Sequence, residues 1–73
     1  MMKKIKKIKI RVNGKVQSIN HNLKMSDLVS NLKIPMKKVA IELNQEIIDK
    51  KNINKINLKK NDKIEIVHFI GGG

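Results

Sequence analysis

The sequence predicts an α+β domain in which a mixed sheet of about five strands packs on one short helix and ends in a flexible C-terminal glycine tail. Three observations predict it. Apolar and polar residues alternate in runs at 8–12, 39–43 and 63–67, the period of half-buried strands. The stretch 25–32 repeats its apolar residues at helical spacing instead. The chain closes on Gly71-Gly72-Gly73, which extends from an apolar strand with no linker between.

In the first run Ile8, Ile10 and Val12 share one face, with Lys9 and Arg11 on the other. Asn13-Gly14 comes next, and both residue types tolerate the positive φ of a type I′ turn, so a two-residue hairpin is expected. That turn sets Val12 against Lys15, Ile10 against Gln17 and Ile8 against Ile19, leaving polar Lys15 and Gln17 at the periphery of the apolar face. Met25, Leu28, Val29 and Leu32 fall at i, i+3, i+4 and i+7 and form the core stripe of a helix, with Asp27 placed where the helix dipole favours negative charge. Pro35 cannot continue a helix and holds Ile34 out of helical geometry, so the helix ends near Lys33.

Val39, Ile41 and Leu43 lead through Asn44-Gln45 to Ile47-Ile48, a second hairpin with a less favourable turn. Residues 49–60 carry Ile53, Ile56 and Leu58 too irregularly for a long element and read as a loop with a helical turn. Asn61-Asp62 turns the chain again, and the last strand points Ile64 and Ile66 inward and Lys63, Glu65 and Val67 outward. Ile8, Ile10, Val12, Leu28, Val29, Leu32, Ile41, Leu43, Ile64 and Ile66 are expected to form one core. The domain is assigned to residues 1–70 and the tail to 71–73.

Composition narrows the function. A chain of 73 residues supports a single domain that buries only about 60% of its unfolded surface, so a deep catalytic cleft is not expected. The absence of cysteine excludes a disulfide, a thiolate zinc site, a redox pair and a cysteine nucleophile. No segment has the length of apolar sequence needed to span a bilayer, and nothing resembles a secretory signal, so a cytoplasmic protein is expected. The net charge of +11 invites phosphate binding, but Arg11 is the only arginine and Phe69 the only aromatic residue. Bidentate base readout and stacking are therefore nearly missing, and a nucleic-acid-binding module is kept only as an outsider.

The ending His68-Phe69-Ile70-Gly71-Gly72-Gly73 is the most specific feature. Terminal glycines often mark no more than a fraying end. Here they extend directly from a core strand, and residues without a Cβ can thread a narrow channel. A free carboxylate is a poor electrophile until it carries a good leaving group, as in an acyl adenylate, and Gly73 offers an unhindered one to an enzyme that can surround it and exclude water. His21 and His68 have no nucleophile or carboxylate at motif spacing, and Ser18, Ser26 and Ser30 lack the glycines of a nucleophile elbow, so catalysis by the chain itself is not expected.

The hairpin Ile10-Arg11-Val12-Asn13-Gly14-Lys15, the helix around Asp27-Leu28-Val29, the stretch from Val39 to Ile48 and the block from Asn61 to Gly73 together resemble the ThiS family. These are sulfur carriers of thiamine thiazole biosynthesis with the ubiquitin-like β-grasp fold. The chain departs from the family's usual pattern with Asn61 and Gln45 in place of turn glycines and Lys24 in place of a threonine helix cap. It also lacks the usual proline and tryptophan after Ile48. The resemblance implies that an E1-like enzyme, ThiF, adenylates the C-terminal carboxylate of Gly73, with ATP and magnesium bound by that enzyme and no cofactor or metal by this chain. A cysteine desulfurase then supplies the sulfur of a thiocarboxylate, which thiazole synthase, ThiG, receives. Gly71 and Gly72 would enter the partner's active site, and Val67, Phe69 and Ile70 are candidate partner contacts. The free chain would be monomeric. A related carrier for molybdopterin (MoaD-like) or tRNA thiolation is the alternative.

Overall fold

A computed structural model describes residues 6–68. They form β1 (Lys7–Val12), β2 (Lys15–Asn20), α1 (Met25–Asn31), β3 (Val39–Leu43), β4 (Glu46–Ile47) and β5 (Lys63–His68), with 3-10 turns at Met36–Lys38 and Lys50–Lys55. The sheet order is β2-β1-β5-β3-β4, so the last strand of the sequence occupies the centre. It runs parallel to β1 and antiparallel to β3, which makes the sheet mixed as the sequence predicts.

The hairpin register matches expectation: Val12 faces Lys15, Ile10 faces Gln17 and Ile8 faces Ile19. Asn13 and Gly14 hold φ of 50° and 83°, the left-handed pair of a type I′ turn. The second hairpin has the same form without glycine, because Asn44 sits at φ 52° and Gln45 at φ 74°. Asn61 likewise takes φ 70°, so the positions where glycine is usual keep left-handed backbone in this chain.

At the start of α1 the Lys24 ammonium has no lone pair to accept from the helix, and the end is closed by Asp27 Oδ2, which accepts from Lys24 N–H at 3.1 Å. At the other end Lys33 stands at φ 56°; its N–H donates to Ser30 O, and Ile34 N–H donates to Val29 O. That pair of bonds is a Schellman motif, which stops the helix before Pro35 is reached. It also corrects one core assignment. Leu32 is the C-cap, where the chain swings off the helix axis, and it remains 39% exposed.

The core comprises Ile10, Val12, Ile19, Met25, Leu28, Val29, Val39, Ile41, Leu58, Ile64 and Ile66. Ile8 and Leu43, also assigned to it, are half-buried and pack against its rim. Leu58 enters the core because the segment before β5 lies against the entrance to α1: Met25 N–H donates to Ile56 O, and Leu58 N–H to Leu23 O, both at 2.9 Å. The expected helical turn in residues 49–60 is the 3-10 turn Lys50–Lys55, capped by Asp49, whose Oδ1 accepts from Lys51 N–H. No helix among the described residues is long and apolar enough to cross a membrane.

Candidate functional site

The site is the end of β5, the strand from which the glycine tail extends. A tail is a useful handle only if its root is fixed, and β5 is fixed on both flanks. On one side its register with β3 runs unbroken from Leu43↔Ile64 through Ile41↔Ile66 to Val39↔His68. On the other side Arg11 and Val12 of β1 pair with Lys63 and Ile64, after which β1 turns away into its hairpin.

Asn13 prolongs that second flank. Its N–H donates to Ile64 O at 2.9 Å, and its side-chain Oδ1 accepts from Ile66 N–H at 2.8 Å, a position where a continuing strand would have placed a carbonyl. One residue thus supplies left-handed backbone for the turn and an acceptor for the neighbouring strand. Sequence reasoning finds the first role and not the second.

The beginning of β5 is held by Asp62, the one buried charged residue among those described, at 8% exposure. Its carboxylate accepts from Asn44 Nδ2 at 3.1 Å and from Lys59 N–H at 2.7 Å, and its carbonyl accepts from Arg11 N–H at 2.9 Å. Asn44 Oδ1 in turn accepts from Lys63 N–H at 2.9 Å. A buried carboxylate needs such donors. This node ties the turn before β5 to β1 and to the second hairpin, and no sequence pattern marks it.

The sequence-derived site residues fall in two groups. Val67 lies on the outer face of the sheet opposite Ala40 and is 50% exposed. Phe69, Ile70, Gly71, Gly72 and Gly73 lie outside the described residues. His68 points to the helix side, where it lines an open depression of about 300 Å³ with Val12, Leu32, Ile34 and Ile66. Neither His21 nor His68 has a side-chain hydrogen bond or ion pair among the described residues, and the same holds for Ser18, Ser26 and Ser30. No group of three or more potential metal ligands occurs among the described residues.

On the outer face Lys9, Arg11 and Lys63 gather around a shallow depression at the β1 side. Arg11 and Lys63 also line a second one with Glu65, and Glu42 stands opposite Glu65 on β3 and β5.

The chain matches the ThiS family over residues 10–73. It is 43% identical over 49 residues to the sulfur carrier protein ThiS of Bacillus subtilis, covering 67% of this chain and 74% of that protein. It is 35% identical over 66 residues to a thiazole synthase of Paramagnetospirillum magneticum, covering 90% of this chain and 20% of the synthase; the chain thus spans about a fifth of that relative's length. The crystal structure of the thiamine biosynthesis protein ThiS from Geobacter metallireducens superimposes with a TM-score of 0.79 at 30% identity, covering 90% of this chain and all of that one.

Proposed function

The chain belongs to the ThiS family of ubiquitin-like sulfur carriers, and on that premise we propose that it carries sulfur for thiamine thiazole formation as a thiocarboxylate on Gly73. The observation that supports this most is the anchorage of β5, paired with β3 as far as His68 and held on its other flank by Asn13 as far as Ile66. A fixed root lets a partner bind the folded body and meet the carboxylate at a defined distance.

The chemistry is that of the terminus. A carboxylate oxygen of Gly73 attacks the α-phosphorus of ATP on an E1-like enzyme of the ThiF type, with pyrophosphate leaving and magnesium balancing its charge. A persulfide derived from a cysteine desulfurase then attacks the acyl carbon and expels AMP. A thiol of the partner reduces the resulting acyl disulfide, releasing the thiocarboxylate and leaving a disulfide on the partner. The chain carries no thiol that could capture the activated acyl group internally. Gly71 and Gly72 let the terminus pass through a narrow channel, and Val67, Phe69 and Ile70 meet the partner's surface. Thiazole synthase takes the sulfur, and the carrier works as a monomer in the cytoplasm.

Deleting Gly72 and Gly73 tests this reading. In a mixture of activating enzyme, ATP, magnesium, sulfur source and thiazole synthase, the full chain should support thiazole formation and the shortened chain should not. Thermal unfolding of both should coincide, since Gly72 and Gly73 have no side chains to bury in a core. A shortened chain that still supports thiazole formation would refute the proposal.

A further inference from the structure

The six acidic residues divide by what they do for the fold. All three aspartates serve it: Asp27 closes the start of α1, Asp49 caps the 3-10 turn, and Asp62 is the buried acceptor before β5. The glutamates do not. Glu42 and Glu65 lie directly opposite on adjacent strands of the outer face, and neither has a hydrogen-bond or ion-pair partner among the described residues. Like charges in that arrangement repel and cost the sheet stability. Arg11 and Lys63 line one depression with Glu65, yet neither forms a hydrogen bond or ion pair with it among the described residues.

Apolar side chains border the pair. Ile47 of β4 pairs with Glu42 and is 76% exposed, and one step toward the tail Val67 pairs with Ala40. Two acceptors set among exposed aliphatic groups suit a guanidinium, which is planar, offers five donors and gives up hydration more readily than an ammonium. The patch also lies where a partner must be. Five residues separate His68 from the C-terminus and reach at most about 18 Å, so an enzyme acting on Gly73 comes within that distance of β5.

The geometry points to thiazole synthase as the occupant: we infer that Glu42 and Glu65 together receive one arginine side chain of that enzyme while Ala40, Val67 and Ile47 are covered around it. The inference rests on the carrier reading above. It commits to the synthase because a thiazole synthase contains a stretch similar to 90% of this chain, so the two units work at close quarters there.

The test is titration of the full chain into the thiazole synthase of the same organism, at about 50 mM and about 500 mM salt, for the wild type, a Glu42→Gln/Glu65→Gln double variant and a Glu46→Gln control on the sheet edge. The double variant should bind about tenfold more weakly or worse at low salt, with a smaller difference at high salt, and the control should bind like wild type. Its Tm should equal or exceed that of wild type, because repulsion has been removed. Binding within about twofold of wild type would overturn the inference. An equal loss in the Glu46→Gln control, or a clear fall in the double variant's Tm, would overturn it too. If wild type forms the thiocarboxylate yet does not bind the synthase, the inference falls and the carrier chemistry stands; failure to form the thiocarboxylate would strike the carrier reading first.

Discussion

Gln45 shows most plainly how single residues are matched to this fold. At φ 74° it holds a conformation that costs a side-chain-bearing residue of order 1 kcal/mol, and its exposed side chain makes no hydrogen bond among the described residues that would offset the cost. Gln45→Gly should therefore stabilise the protein by about 0.5–1 kcal/mol, seen as a Tm about 3–6 °C higher, even though glycine also gives the unfolded chain more freedom. A lower Tm would mean that the glutamine supports the turn in a way the geometry does not show. Asn13 and Asn44 are different, because each uses its side chain as well as its backbone. Their amide oxygens accept from Ile66 N–H and Lys63 N–H, so glycine there would keep the turn and lose a bond to the central strand.

Among the elements, β5 pairs with two strands distant in sequence, β1 and β3, and the segment leading into it is the least obvious part of the sequence. Leu58 is 2% exposed, held in the core by the backbone bonds that lay 56–58 along 23–25. Leu58→Ala should cost about 2–5 kcal/mol by denaturant unfolding, as much as a core strand position. A loss below about 0.5 kcal/mol would mean this segment peels away from the helix. The contrast with the first hairpin explains what the sequence made legible. Asn13-Gly14 states its turn type and register locally, and alternation assigns Ile10, Val12, Ile64 and Ile66 to the core face. Leu58 and Asp62 carry no periodic signal, since their burial comes from contacts with residues far along the chain. Leu32 shows the opposite failure: its spacing fits the helical stripe, but the left-handed Lys33 ends the helix just there.

At the scale of the molecule, the last strand lies at the centre of the sheet and the chemistry is expected beyond that strand. The proposed site is marked in the sequence by a local pattern, three glycines after a core strand, and it lies outside the described residues. The anchorage of β5 is not marked there, because it depends on Asn13 and Asp62 reaching β5 from distant turns. Net charge of +11 coexists with the carboxylate pair of Glu42 and Glu65 on the central strands. The central claim is that this body presents one reactive group, the Gly73 carboxylate. It is tested most directly by the intact mass of the protein after incubation with an E1-like activating enzyme, ATP, magnesium and a sulfur donor. The mass should rise by the difference between one sulfur and one oxygen atom, located by fragmentation at Gly73. An unchanged mass, or a change located anywhere else in the chain, would contradict it.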